Sequence, residues 1–169
     1  MDCLEAIFRR RSVRKYRAEP VAEEHLAQIL EAGRQAPSGG NRQPWHFVVV
    51  RDPELRRRTG EACSGQTWVG EADVIICACG DSTISEKWNE VDPTIALQNM
   101  ILAATALGYG TCWVGAFDRE KVHEVLQIPE HLNVVCLTPV GVPDEAPDAR
   151  PRKSTEGIFS RDQFGNPWV

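Results

Sequence analysis

No apolar run in the sequence approaches the ~20 residues that a membrane-spanning helix needs. The start, Met1-Asp2-Cys3-Leu4-Glu5, lacks the apolar core and small-residue cleavage site of a signal peptide, so a cytoplasmic location is expected. Low-complexity tracts and internal repeats are missing, which argues against fibrous, solenoid and disordered classes. The six cysteines (3, 63, 77, 79, 112 and 136) contain no Cys-x-x-Cys pair and no partner pair at zinc-finger spacing, and free thiols are expected. The residue four after His123 is Gln127, so the two-histidine face of a zinc protease is absent. His25, His123 and His131 stand at polar positions and are read as solvated. Gly108-Tyr109-Gly110 follows a helical pattern and has Trp113 where a third glycine should fall; it reads as a helix end, not a dinucleotide loop. A P-loop, a metal-ligand cluster and a Ser/His/Asp grouping are equally missing.

What is present is one domain of 169 residues, 42% hydrophobic, long enough to bury a substantial core. Its charge is unevenly spread. Arg9-Arg10-Arg11-Ser12-Val13-Arg14-Lys15-Tyr16-Arg17 places six cations in nine residues without an acid, while the other 13 Lys and Arg face 24 Asp and Glu, a balance of −11. A charge run is ordinarily a solvated face. In an otherwise acidic chain, it marks a place for an anion.

Along the chain, Asp2 and Glu5 resemble a capping box for a first helix that ends near Arg10. Val21, Leu26, Ile29 and Leu30 mark a second helix, stopped by Gly33, and the turn-rich segment 36–44 follows. Trp45–Val50 reads as a strand, and Asp52-Pro53 opens a third helix to about Cys63. The apolar run 72–79 suits a strand buried on both faces, with Cys77 and Cys79 as small hydrophobes. Asp92-Pro93 caps the most apolar helix, from Ile95 to Leu107, which must be central or at an interface. Thr111–Gly115 reads as a third strand, Asp118–Gln127 as a helix and Val134–Leu137 as a fourth strand. Prolines at 139, 143, 147, 151 and 167 predict an extended arm over about 140–169. Alternating strands and helices argue for α/β layers.

Three segments, in order, resemble the nitroreductase family of FMN-dependent NAD(P)H oxidoreductases: Arg10-Arg11-Ser12-Val13-Arg14, Ala36 to Trp45, and Gly108 to Gly115, joined by Arg150-Pro151-Arg152. The resemblance runs nearly end to end. It implies an α+β fold, a three-layer α-β-α sandwich with a mixed, mainly antiparallel sheet, in a homodimer with a C-terminal arm embracing the partner. It also implies tightly bound, non-covalent FMN at the interface. Arg10, Arg11, Ser12 and Arg14 would hold phosphate and ribityl chain, with Arg150 and Arg152 closing over them. Pro37, Ser38, Gly39 and Asn41 would reach the cofactor from the other subunit, and Gln66 would touch the ring. Val114 and Gly115 would run along its edge, the Gly115 N–H facing N5, the hydride acceptor. Cys112 and Trp113 are read as core or pocket lining, with no cation beside the thiol to activate it, and Trp45 as a buried strand aromatic. No catalytic side chain and no metal ligand is assigned, since in such enzymes the cofactor performs the reaction.

The expected activity passes electrons from NAD(P)H through FMN to a small-molecule acceptor, a nitroaromatic or quinone, by ping-pong kinetics. The chain is short between Cys79 and Asp92, so the pocket is expected to be open. Alternatives on the same scaffold are a reductive dehalogenase, a flavin-modifying enzyme and a non-catalytic FMN-binding protein. From another class, the basic stretch could meet nucleic acid or anionic lipid; neither nucleic acid nor membrane is the expected partner.

Overall fold

The computed structural model describes residues 1–168. It contains α1 (Cys3–Arg9), α2 (Glu23–Arg34), β1 (Trp45–Val50), α3 (Pro53–Ala62), β2 (Val74–Asp81), α4 (Val91–Ala106), β3 (Gly110–Thr111), α5 (Arg119–Leu126) and β4 (Leu132–Gly141), with three short 3-10 turns. The strands form one sheet in the order β1-β2-β4-β3, and each of the three pairings is antiparallel. Alternation along the sequence argued for α/β layers, and the resemblance implied a mainly antiparallel sheet. The antiparallel pairing gives the implied α+β domain, whose one parallel element among the described residues is the bridge from Ser12 to Thr111.

β2 explains the layering. Successive side chains leave opposite faces of a strand, and Ile75, Cys77 and Cys79 pack with Val50, Val122 and Leu137 in one cluster. Val74, Ile76 and Ala78 enter the other, with Leu26, Ile29, Leu97 and Ile101. Helices α3 and α5 therefore cover one face and α2 and α4 the other. Each fully buried Ile or Leu contributes ~1.5–3 kcal/mol relative to exposure, so this central strand needs apolar side chains on both sides.

Several helix ends follow from capping chemistry. The carboxylates of Asp2, Asp52 and Asp118 accept the amides of Glu5, Leu55 and Lys121 at 2.8, 2.8 and 3.2 Å. Gly33 does not stop α2; it lies buried inside the helix, where a Cβ would fall 2.0 Å from the Met100 Cε. Close packing of α2 on α4 therefore selects the glycine. Nor does Asp92 cap α4. Glu90 holds the cap position without a side-chain bond, and Asp92 is buried in the first turn, its Oδ2 accepting the Gly39 N–H at 3.0 Å. β3 stops at Thr111, after which Val114 alone bridges Leu137. β4 runs on through Pro139 to Gly141, so the extended segment begins later than the prolines suggested.

Two histidines are not merely solvated. The His25 Nδ1 lies 2.8 Å from the Tyr109 hydroxyl, and the His123 Nδ1 lies 3.2 Å from the Ile128 carbonyl oxygen. Trp45 is half-buried, tilted against Phe47. From Pro143 to Trp168 the chain has one 3-10 turn and is mostly exposed. Among the described residues no helix is long and apolar enough to cross a membrane.

Candidate functional site

The basic stretch straddles the end of α1, whose C-cap is Arg10, its N–H closing the helix on the Ala6 carbonyl. Val13 then turns inward, 6% exposed, with its N–H bonded to Thr111 O at 2.9 Å. Extended backbone sends alternate side chains to opposite sides, so Ser12 and Arg14 point away from the core. The stretch is next laced to the chain after β4: Arg17 N–H to Val142 O and Asp144 N–H to Lys15 O, both 2.9 Å, with the Glu145 Oε1 accepting the Arg14 N–H at 2.5 Å. The Tyr16 hydroxyl, raised far above its usual range chiefly by burial, donates to Val13 O at 2.6 Å.

This lacing builds a cleft of about 960 Å³. Arg10, Arg11, Ser12 and Arg14 line one side, Gln98 and Leu102 of α4 the floor, and Glu145, Asp148, Arg150 and Arg152 the C-terminal side. Among the described residues none of these five guanidiniums has a carboxylate oxygen within 4.0 Å. Arg9 and Arg17 differ: Arg9 pairs with Glu5 at 2.8 Å, and Arg17 with Asp144 at 3.4 Å and Glu19 at 3.7 Å. Within the basic run, then, Arg9 and Arg17 are paired with acids, while the side-chain cations of Arg10, Arg11, Arg14 and Lys15 have no carboxylate oxygen within 4.0 Å among the described residues. Five arginines against two acids leave the cleft with a formal charge of +3, and a concave site of net positive charge focuses the field on an entering anion. Guanidinium forks match the oxygens of a phosphate bidentately. The donor set fits a phosphomonoester.

The remaining expected residues lie outside this cleft. Gln66 meets the 114–116 segment by donating its Nε2 hydrogens to Cys63 O and Ala116 O at 3.1 and 3.0 Å, which leaves its Oε1 for any ligand. Val114 is 1% exposed, and its N–H and C=O are both bonded to Leu137, so it can place Gly115 but has no free backbone group. Gly115 is exposed, and a Cβ there would meet nothing within 4 Å. Its neighbourhood is therefore open enough for a flat ring to lie along the backbone.

Pro37, Ser38, Gly39 and Asn41 form a separate surface. The Ser38 Oγ accepts the Gln43 N–H at 3.0 Å, Gly40 and Asn41 have φ of 61° and 55°, and Pro37 and Asn41 are exposed. Close approach, the reason for Gly39, is toward Trp88, whose Cδ1 would be 2.6 Å from an added Cβ. Cys112 is buried beside Ser12. Burial raises its thiol, and Arg14 and Arg10 act against that, so cations do lie near it but burial prevails. The thiol stays protonated near neutrality, a core group rather than a nucleophile. Thr111, the bridge partner of Ser12, carries the one buried side-chain polar atom without a partner among the described residues.

Sequence reasoning missed Gln98 and Glu145. Gln98 was visible as a polar break in the most apolar helix. Nothing in the sequence tied Glu145 to Arg14, 131 residues away.

Comparison with known proteins agrees with the geometry. The sequence model of the nitroreductase family matches residues 7–75 and 63–142. A protein of Archaeoglobus fulgidus, named provisionally as an NADH dehydrogenase/NAD(P)H nitroreductase, is 37% identical over 155 residues, covering 87% of this chain and 88% of the relative. The FMN reductase (NAD(P)H) of Bacillus subtilis is 28% identical over 187 residues, covering 98% and 75%. Among solved structures, the NADPH:FMN oxidoreductase of Vibrio harveyi complexed with NAD+ superposes with a TM-score of 0.88 at 29% identity, covering 96% of this chain and 77% of that one. A nitroreductase family protein from Clostridium novyi gives 0.81 at 31%, covering 99% and 97%. By the extent of the family match, its two matched spans together running from residue 7 to residue 142, this chain belongs to the nitroreductase family.

Proposed function

We propose that the protein is an FMN-dependent oxidoreductase that takes electrons from NAD(P)H and passes them to a small oxidised acceptor, a nitroaromatic or quinone, in a ping-pong sequence. One observation carries this reading: five guanidiniums without carboxylate partners among the described residues converge on one cleft of about 960 Å³. FMN, when bound, supplies the two-electron redox chemistry. Arg10, Arg11, Arg14, Arg150 and Arg152 would hold its phosphate, and Ser12 would add a hydroxyl. A Cβ on Gly115 would stand in open space, and the Gly115 N–H would orient the ring edge. Electron donor and acceptor would occupy that same open space in turn, which is the basis for alternating kinetics.

A homodimer completes the reading. Leu4, Ile7 and Phe8 on α1 are 65%, 46% and 71% exposed, and Val91 and Ile95 on α4 are 45% and 37% exposed, an apolar surface suited to a second copy. The loop 37–41, absent from the arginine cleft, would then reach the site of the partner. Ile158, Phe159 and Phe164 are equally exposed and would find cover in the same assembly. Residues 82–90 form only turns between β2 and α4, which supports an open pocket for varied small acceptors over a lidded dehalogenase. The test is a visible absorption spectrum of purified protein followed by stopped-flow mixing with NADH and with NADPH. Yellow protein bleached within seconds by either donor is expected. Colourless protein that takes up no FMN on incubation overturns the reading.

A further inference from the structure

Gln98 sits in the middle of α4, between the buried Leu97 and Met100, and lines the arginine cleft together with Leu102 one turn on. An amide in so apolar a helix has a reason to be there. Its carbonyl oxygen accepts the Trp113 indole N–H at 3.0 Å. An indole nitrogen only donates, so the atom facing it must be the oxygen, and the amide cannot flip without leaving two N–H groups face to face. The Trp113 ring is itself packed into the α2–α4 side of the core. Its grip fixes the Gln98 amide with the NH2 end turned away from the indole, and among the described residues that NH2 end has no acceptor within the protein.

We propose that Gln98 is a binding residue of the cleft, giving its amide hydrogens to an oxygen at the phosphate–ribityl end of the ligand, and that Trp113 is its positioning residue. This rests on the FMN reading above. A neutral donor adds what the arginines cannot: a contact that bulk salt does not screen, and one that discriminates by geometry rather than by charge. The carboxylate of a Gln98→Glu variant would keep the bond from Trp113 and turn its other oxygen, an acceptor, toward the incoming anion.

Titration of flavin-stripped full-length protein with FMN, at 0.05 and 0.5 M salt, tests the assignment. Gln98→Leu weakens binding about five- to tenfold at both salts, the size of one net hydrogen bond. Gln98→Glu, isosteric with the native side chain, weakens it about a hundredfold at low salt and partly recovers at high salt. Trp113→Phe keeps an aromatic ring, costs about threefold, and adds nothing further in the Gln98→Leu background. Riboflavin locates the contact: a loss shared with FMN assigns the acceptor to the ribityl chain, a loss confined to FMN assigns it to the phosphate, and either supports the role. Wild-type affinity in folded Gln98→Leu, or full additivity of the two losses, overturns it. Failure of the wild-type protein to take up FMN is a different result, which removes the cofactor reading itself.

Discussion

Arg14 and Lys15 are adjacent cations with opposite surroundings, and replacing each by alanine separates a built anion site from bulk charge. Arg14 lines the cleft, has no carboxylate partner within 4.0 Å among the described residues, and its guanidinium lies 5.7 Å from the Trp68 ring. Lys15 is exposed and outside the cleft, and its carbonyl oxygen, which accepts the Asp144 N–H at 2.9 Å, survives truncation. A charge-assisted hydrogen bond contributes ~1.5–3 kcal/mol. Arg14 is largely exposed, so solvent screening favours the lower end, and tenfold per 1.4 kcal/mol gives a loss of about ten- to thirtyfold in FMN affinity for Arg14→Ala. Lys15→Ala has no such bond to lose and acts through the field alone, for about twofold or less at 0.15 M salt. Flavin fluorescence titration of dialysed protein reads both. Losing the Trp68 contact costs Arg14→Ala only ~0.5–1 kcal/mol of stability, so the fold remains for the measurement. Equal losses from the two variants, or a twofold effect from Arg14→Ala, would refute the division of the basic run.

Gly115→Ala should leave the melting temperature within about 1 °C, because the methyl meets nothing in the protein; turnover with NAD(P)H should fall severalfold as that methyl enters the ring's space, and unchanged turnover would remove Gly115 from the site. Asp92→Ala strips the acceptor from the Gly39 N–H inside a 2% exposed position and should cost ~1–3 kcal/mol by urea unfolding, with Asp92→Asn nearer wild type. A thiol reagent at pH 8 should modify Cys3 alone in native protein and all six cysteines in denaturant, since the other five are buried. Burial pushes the Cys63 thiol up to about 11 and the Cys136 thiol up to about 12. Above the unfolded thiol value near 9 the unfolded chain therefore releases protons that the native state retains, and stability falls as pH rises toward 11 and 12. Cys63→Ala with Cys136→Ala should make that alkaline decline shallower, the buried Tyr16 hydroxyl still contributing, and an unchanged curve would place the cause elsewhere.

The elements with strong local chemistry were legible in the sequence. β1 from Trp45 to Val50 and the Asp52 and Asp118 caps needed only β-branched residues and short-range bonds. The arginine cleft was legible as charge segregation, since neutral or acidic surroundings leave a basic run little other purpose. What escaped was set by partners distant in sequence. Gly33 reads as a stop signal until Met100, 67 residues later, occupies the space of its side chain. Asp92 followed by proline imitates a cap, but the Gly39 amide draws its carboxylate elsewhere. The orientation of Gln98 depends on Trp113, and no periodicity encodes which end of an amide faces a cleft.

Ile7 and Phe8 carry a consequence of their own, for they stand both on the exposed apolar face of α1 and on the wall of the arginine cleft. In a dimer built on that face, assembly and ligand occupancy share side chains and cannot be independent equilibria. Whatever factor the ligand gains from the second subunit, the subunits gain from the ligand. Dilution then acts as an inhibitor: FMN affinity becomes a function of protein concentration, and saturating FMN holds subunits together at concentrations where the stripped protein separates.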